Sequence, residues 1–184
     1  QRLDRLITDI SNASRLDAEL SRDDPRPVDV RKLLFDIAGI YQTSKGGQGA
    51  KVSHSGENRE PVLVMGREGP LGQVFRNLID NARSFSPKGA PVRVQLRRER
   101  GQALVTVEDE GPGLPPENLE TVFQRFYTSR PKGASFGGNS GLGLSIARQI
   151  IDAHGGRIWA ENRIDETGAV RGARFTVSLP EVKP

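Results

Sequence analysis

Apolar residues between positions 71 and 85 recur at three- and four-residue steps, the spacing of a helix with one buried face. They are Leu71, Val74, Phe75, Leu78, Ile79, Ala82 and Phe85. Asn77, Asn81 and Ser84 form a polar stripe beside that face. Asparagine is a poor helix residue because its amide competes for backbone hydrogen bonds. The pattern therefore predicts an amphipathic helix whose polar edge has a use, and a merely solvated edge is the alternative.

Strand-like and helix-like patterns alternate along the rest of the chain. Strands are predicted near residues 28–30, 51–54, 61–64, 157–162 and 171–179, with a hairpin over 92–108 that turns at Arg100-Gly101. Further helices are predicted over residues 31–43 and 145–151. Helices interleaved with antiparallel strand pairs predict an α/β (α+β) two-layer sandwich, with a mixed sheet packed on helices.

The first twenty residues carry a narrower apolar stripe with heptad-like spacing. It consists of Leu3, Leu6, Ile7, Ile10, Ala13, Leu16 and Leu20. A helix with such a seam needs a partner helix to bury it. Docking of this helix on its own domain is the alternative. Prolines at positions 25 and 27 predict a linker, which divides the chain into residues 1–22 and residues 23–184.

A glycine-rich turn follows the predicted strand at residues 103–107 and reads Asp109-Glu110-Gly111-Pro112-Gly113. The glycines allow a sharp turn and let a flat ring approach without a Cβ in the way. Asp109 could accept a hydrogen bond from an exocyclic amine, and a buried carboxylate needs such donors. Taken alone, the segment could equally be an ordinary Gly-Pro turn.

A second glycine-rich segment, Ser140-Gly141-Leu142-Gly143-Leu144, opens a predicted helix. The free N–H groups and positive dipole end of such a helix start attract phosphate. No lysine follows these glycines, so the segment is not a phosphate loop of the Gly-Lys-Ser/Thr type. A dinucleotide fold is also disfavoured, because a long loop rather than a strand precedes the glycines.

Together and in this order, these segments resemble the ATP-binding domain of the sensor histidine kinases, a family whose wider group includes gyrase, a heat-shock chaperone and MutL. Residues 77–82 resemble the N box and residues 109–113 the first glycine box. Residues 123–127 resemble the F box, and residues 140–144 resemble the second glycine box. The resemblance spans residues 26–180 and implies a Bergerat ATP-binding fold that binds ATP and Mg²⁺.

The resemblance also implies roles for individual residues. Asn81 would hold the Mg²⁺ that bridges the phosphates, with Asn77 close to the same site, and the two would form the catalytic pair. Asp109 would accept from the adenine amino group, while Gly111 and Gly113 would shape the adenine pocket. The other residues implied in ATP binding are Arg83, Ser84, Phe123, Arg125, Tyr127, Arg130, Ser140, Gly141, Leu142, Gly143 and Leu144.

Residues 123–138 resemble the mobile lid that closes over the nucleotide in this family. Arg125, Arg130 and Lys132 could neutralise phosphate charge from the lid, and a solvated basic loop is the alternative, most of all for Lys132. Many histidine kinases carry a lysine three residues after the second N-box asparagine, where this chain has Ser84. The phosphate cation is therefore expected from Arg83 or from the lid.

Asn77 separates two branches of the wider family. The ATP-hydrolysing relatives have a glutamate at this position, which activates water as a general base. An amide cannot take a proton, so this site should present ATP with little hydrolysis, as suits phosphoryl transfer to a side chain. The resemblance implies transfer to a histidine and then to an aspartate of a response regulator receiver domain. An ATPase of the chaperone or topoisomerase type, and a catalytically decayed nucleotide-binding module, are the alternatives.

The acceptor histidine is not among the two histidines of this chain. Neither His54 nor His154 is followed by the acidic residue, apolar residue and Arg or Lys expected around it. His154 precedes Gly155-Gly156 and is expected to cap a helix end. By resemblance, residues 1–22 are the second helix of a dimerisation hairpin whose first helix bears the acceptor, so a homodimer is expected. A start at Gln1 without methionine is consistent with a piece of a longer protein.

Composition adds further bounds. The net charge of +4 and the cluster of Arg93, Arg97, Arg98 and Arg100 raise the question of nucleic acid. Aromatic residues make up only 5% and no stacking platform accompanies the arginines, so no nucleic-acid partner is expected. Absence of cysteine leaves no disulfide framework. No apolar run approaches the ~20 residues that span a bilayer. A membrane anchor, common in the family, would lie upstream of a cytoplasmic domain.

Overall fold

The computed structural model describes residues 2–22, 24–43, 51–56, 60–124 and 142–183. Its helices are α1 (Arg2–Arg22), α2 (Val30–Thr43), α3 (Glu68–Phe85) and α4 (Gly143–Ala153). Its strands are β1 (Arg26–Asp29), β2 (Lys51–Gly56), β3 (Leu63–Gly66), β4 (Pro91–Glu99), β5 (Gln102–Glu108), β6 (Arg157–Ile164) and β7 (Val170–Pro180). Two short 3₁₀ turns, Pro116–Asn118 and Thr121–Phe123, follow β5.

Five strands form a mixed sheet in the order β2-β4-β5-β7-β6. The pairing of β2 with β4 is parallel, and the other three pairings are antiparallel. The hairpin of β4 and β5 turns at Arg100 and Gly101, which both have positive φ, as the predicted turn requires. A separate two-stranded sheet pairs β1 with β3. The predicted two-layer sandwich with a mixed sheet is confirmed.

The core lies between the sheet and the helices α2, α3 and α4. In β4 the residues Val92, Val94 and Leu96 are buried, while the alternating Arg93, Gln95 and Arg97 are more exposed. This period of two gives β4 one buried face and one solvated face. The sheet therefore packs one side against the helices, of which α3 carries the polar stripe.

Helix α3 buries the apolar face that its spacing predicts. Nine of its residues are buried: Pro70, Leu71, Gly72, Val74, Phe75, Leu78, Ile79, Asn81 and Ala82. The helix ends at Phe85 because Ser86, which precedes Pro87, adopts an extended backbone. Asn81 is the one polar side chain in this buried set, so the polar stripe meets the core there.

Helix α1 docks on α3 and α4 through its second half. Leu16 is only 1% exposed and belongs to the core, and Leu20 packs against it. Leu3, Ile7 and Ile10, in the first half, are 70%, 57% and 51% exposed. The domain thus covers the second half of the apolar stripe of α1 and leaves the first half exposed.

Candidate functional site

The polar stripe of α3 meets the start of α4. Asn77 donates from Nδ2 to the carbonyl of Gly143 at 3.1 Å, which ties the N-box segment to the second glycine-rich segment. Asn81 is 8% exposed. Within the described part of the chain its side-chain amide has no hydrogen-bonding partner, whereas its carbonyl accepts from Ser84 Oγ at 2.8 Å. An amide that is uncommitted in this way can donate to a ligand and accept from it.

Asp109 lies at the end of β5 and is 2% exposed. Its Oδ1 accepts from the backbone N–H of Gly111 at 2.9 Å and of Ala173 at 3.0 Å. Burial raises the pKa of the Asp109 carboxyl, and these two N–H donors and the charge of Arg163 oppose the rise. Both of these bonds go to one oxygen, so the second oxygen remains able to accept from a ligand amine.

A close backbone approach fixes Asp109 against β7. Gly172 has φ +144°, and a Cβ at this position would overlap the Asp109 carbonyl oxygen and lie 2.8 Å from its carbonyl carbon. Arg163 donates from Nη1 to the same carbonyl oxygen at 2.7 Å and pairs with Glu108 at 3.3 Å. The position of Asp109 therefore depends on the absence of a side chain at residue 172.

The first glycine box turns against β6. Gly113 has φ +74°, and a Cβ there would lie 2.7 Å from Asn162 Oδ1. A Cβ at Gly111 would lie 2.7 Å from the carbonyl oxygen of Phe85. Both glycines thus permit contacts with Phe85 and Asn162 that a Cβ would block.

Asn81 and Asp109 line one pocket. Its lining residues are Asn81, Phe85, Asp109, Gly113, Leu114, Val122, Ala173 and Phe175. Most of these are apolar, with one carboxylate and one amide among them. Such a pocket suits a flat, largely apolar ring that carries an amino group toward the carboxylate.

Phe123 of the F box is buried and packs edge-on against Phe175, with ring centres 6.0 Å apart. The guanidinium of Arg148, on α4, lies 5.4 Å from the centre of the Phe123 ring. Phe123 is not among the pocket-lining residues. It supports Phe175, which is one of them.

The described part of the second glycine box begins at Leu142, which is buried and precedes the first turn of α4. Gly143 lies over Asn77, and a Cβ at Gly143 would be 3.9 Å from that of Asn77. Leu144 packs against the core. The N-terminus of α4 is therefore next to the polar stripe of α3, as convergence of the boxes requires.

Arg83 lies on another face of α3. Its guanidinium lies over the ring of Tyr41 at 5.1 Å from the ring centre, and the Tyr41 hydroxyl donates to Asp80 at 2.7 Å. The Ser84 hydroxyl donates a hydrogen bond to the Asn81 carbonyl. Neither residue lines the pocket. The role of Arg83 toward phosphate stays a prediction.

Several of the predicted site residues lie outside the described residues. They are Arg125, Tyr127, Arg130, Ser140 and Gly141, together with Lys132 and most of the predicted lid.

The donor set near Asn81 fits a hard divalent cation. Asn77 uses its amide nitrogen on Gly143, which leaves its amide oxygen as an acceptor, and the Asn81 amide is uncommitted among the described residues. Amide oxygens suit Mg²⁺, which takes few protein ligands and completes its shell with phosphate and water. Among the described residues no cluster of three or more His, Cys, Asp or Glu side chains could hold a metal.

His154 has a structural role, as its position before two glycines indicated. Its Nδ1 donates to the carbonyl of Ile150 at 2.7 Å, and its Nε2 accepts from the N–H of Arg67 at 3.0 Å. Burial lowers the pKa of His154, and the nearby charge of Arg67 lowers it further, against the effect of the Ile150 hydrogen bond. The neutral imidazole thus connects the end of α4 to the start of α3. His54 lies in β2, at the far edge of the sheet.

Sequence reasoning missed the contribution of β6 and β7 to the site. Gly172 inside a strand was a usable signal, because an interior glycine marks a bulge or a close approach. The register of β6 on β7 does shift, between Arg163 and Ile164. Asn162 gave a weaker signal, since asparagine is disfavoured in strands.

No helix in the described part of the chain has the length and apolar character to cross a membrane.

Residues 66–183 match the family model described as histidine kinase-, DNA gyrase B-, and HSP90-like ATPase. The sensor protein ChvG of Rhizobium meliloti (strain 1021) is 49% identical over 98% of this chain, and the chain spans 32% of the length of that relative. The mycobacterial sensor histidine kinase MprB has a similar structure, with TM-score 0.69 and 28% identity over 87% of this chain and 99% of that chain. Full-length ShkA in complex with AMPPNP superposes with TM-score 0.78 at 23% identity, over 97% of this chain and 36% of that chain, which shows the fold alone.

Proposed function

The chain belongs to the histidine kinase-, DNA gyrase B- and HSP90-like ATPase family, and on that premise we propose that it is the catalytic ATP-binding domain of a two-component sensor histidine kinase. In this role it binds Mg-ATP and donates the γ-phosphoryl group to a histidine on a helical hairpin. The histidine then passes the group to an aspartate of a response regulator receiver domain.

One observation carries the proposal: Asn81 and Asp109 line the same apolar pocket although they lie on different elements. Asp109 offers a carboxylate oxygen at a site shaped for a flat ring, which suits the adenine amino group. Asn81 offers an amide on the side where α3 meets the N-terminus of α4. A nucleotide that spans these two points has its base at Asp109 and its phosphates toward Gly143.

Asn81 and Asn77 would hold Mg²⁺ through their amide oxygens. When bound, the ion would neutralise charge on the phosphate oxygens. Backbone N–H groups at the start of α4 would bind phosphate there, where the helix dipole favours an anion. Because Arg83 is engaged with Tyr41, we assign the phosphate cation to the lid arginines, Arg125 and Arg130.

The side chain of Asn77 favours a kinase over an ATPase. Its nitrogen donates to Gly143, which orients the amide. An amide cannot accept a proton from water as a general base does. Among the described residues, the one carboxylate that lines the pocket is that of Asp109, which already accepts from two backbone N–H groups. Bound ATP would therefore persist until an acceptor side chain arrives, as phosphoryl transfer to a protein requires.

The partners follow from the same assignment. The exposed half of the α1 stripe, with Leu3, Ile7 and Ile10, fits a helical hairpin that a second subunit completes. We therefore propose a homodimer in the full protein, with residues 1–22 as the end of its hairpin and residues 23–184 as the catalytic domain. A cytoplasmic location below a membrane-anchored sensor is part of this proposal.

Transfer from labelled ATP to a separately supplied histidine-bearing hairpin tests the function. The proposal expects label on the hairpin histidine and little free phosphate. Rapid release of phosphate would instead identify an ATPase, and nucleotide binding with neither product would identify a module without catalysis. Asp109→Asn serves as the matched control, because it keeps the side-chain shape but offers an amide to the base, and it should abolish transfer.

A further inference from the structure

We propose that Asn162 is a positioning residue for the nucleotide pocket, holding the turn at Gly113 and Leu114 in its binding geometry before nucleotide arrives. The inference rests on the proposed function, since it assigns the pocket to a nucleotide base. Asn162 lies on β6, outside the four boxes that the sequence singled out.

Asn162 makes two hydrogen bonds with the backbone of a single residue. Its Oδ1 accepts from the N–H of Leu114 at 2.8 Å, and its Nδ2 donates to the carbonyl of Leu114 at 2.6 Å. The two residues are 48 positions apart in the chain. One side chain thereby satisfies both backbone groups of a residue that lines the pocket, as a strand partner would.

The same part of the sheet also holds the carboxylate. Asn162 is paired with Ala173 between β6 and β7, and the N–H of Ala173 donates to Asp109 Oδ1 at 3.0 Å. Asn162 therefore fixes the distance between Leu114, on one wall, and Asp109, on another. A shift of the Asn162 side chain would change the width of the pocket at the base.

Packing at Gly113 reinforces this role. The turn passes so close to Asn162 that a Cβ on Gly113 would lie 2.7 Å from Asn162 Oδ1. Glycine can adopt many backbone conformations besides the positive φ that Gly113 has here. The backbone alone therefore does not hold the turn in this conformation. The two bonds to Leu114 limit the turn to the conformation that forms the pocket.

Loss of the Asn162 bonds should weaken nucleotide binding through the population of the competent turn. Apparent affinity falls by the fraction of molecules in the binding conformation. Two neutral hydrogen bonds of ordinary strength can change that fraction by about tenfold. The loss should be the same for adenosine as for ATP, because the turn contacts the base end of the pocket and not the phosphates.

Calorimetric titration of the 184-residue chain with adenosine and with Mg-ATP tests the proposal. Asn162→Ala should bind both ligands about tenfold more weakly than wild type. Asn162→Asp keeps the side-chain size but loses the donor, and it should lose affinity as well, which separates the hydrogen bond from packing. Asn118→Ala is the matched control: Asn118 accepts from Thr121 at 3.3 Å outside the pocket lining, and its affinity should stay within about twofold.

Amide hydrogen exchange at Leu114 provides a second readout that a general loss of stability does not reproduce. The Leu114 N–H should exchange slowly in wild type without nucleotide and rapidly in Asn162→Ala, while amides of β5 remain protected. Fast exchange in wild type would overturn the proposal, and so would wild-type affinity in both Asn162 variants or a loss confined to ATP. If wild type bound neither ligand, the proposed function would fail, yet the exchange result would still report on the Asn162 contact.

Discussion

Replacement of Gly172 by alanine should damage both the stability of the domain and its nucleotide site. A Cβ at this position would overlap the carbonyl oxygen of Asp109 and lie 2.8 Å from its carbonyl carbon. Backbone atoms cannot rotate away as a side chain can, so β7 or the end of β5 must move. The adjacent N–H of Ala173, which donates to Asp109, would move with it.

Two contributions set the size of the effect. Overpacking of a well-packed site costs about 1–3 kcal/mol. A non-glycine residue held at a sparsely populated backbone conformation, here φ +144°, costs about another 1–3 kcal/mol. A total near 4 kcal/mol would lower the melting temperature by about 8–16 °C for a chain of this size. Binding of ATP should weaken by at least about tenfold if Asp109 shifts out of place.

Gly168→Ala is the matched control for this experiment. Gly168 also has a positive φ, +83°, but a Cβ there would meet nothing within 4 Å. The control therefore carries the conformational strain without the close approach, and at about 2 kcal/mol it should lower the melting temperature by only about 4–8 °C. Thermal unfolding and ATP titration of both variants decide the question. If the two variants melted within about 2 °C of each other and bound ATP alike, the close approach at Asp109 would not matter as argued.

Three further outcomes are expected. The pKa of His154 is lowered in the folded state, so the contribution of its neutral form to stability is present above the unfolded pKa near 6.5 and is lost as pH falls below it. Between pH 7.5 and 5 the melting temperature should therefore fall less steeply in His154→Gln than in wild type. Equal falls in the two proteins would exclude a role for the hydrogen bond from Arg67 to His154. Arg83→Ala should leave ATP affinity within about twofold of wild type, because the Arg83 guanidinium stacks on Tyr41. An affinity loss of about tenfold would indicate that Arg83 contacts the phosphates. Asn81→Ala should abolish Mg-dependent transfer while the variant stays folded by circular dichroism, and unchanged transfer would remove Asn81 from the metal site.

Periodicity was enough to predict the sandwich and the elements that carry the boxes. Spacing at three and four residues identified α3, and alternation identified β4 and β5, because these signals are local and both elements bury one face. The turn at Arg100 and Gly101 was equally local. Such features need no knowledge of which distant segment will be the neighbour.

The strands β6 and β7 were predicted from the sequence, but their contribution to the site was missed for a physical reason. An interior glycine such as Gly172 signals a close approach without saying which segment approaches. The contacts of Asn162 and Gly172 with Leu114 and Asp109 depend on the register of β6 and β7 against the first glycine box, and that register is a tertiary property.

Calorimetric titration with ATP, with and without Mg²⁺, tests the central claim that one nucleotide is held between Asp109 and Asn81. The account predicts heat on addition of Mg-ATP to wild type, no comparable heat with Asp109→Asn, and weaker binding when Mg²⁺ is removed. Absence of binding to wild type at millimolar Mg-ATP, or wild-type binding by Asp109→Asn, would contradict it.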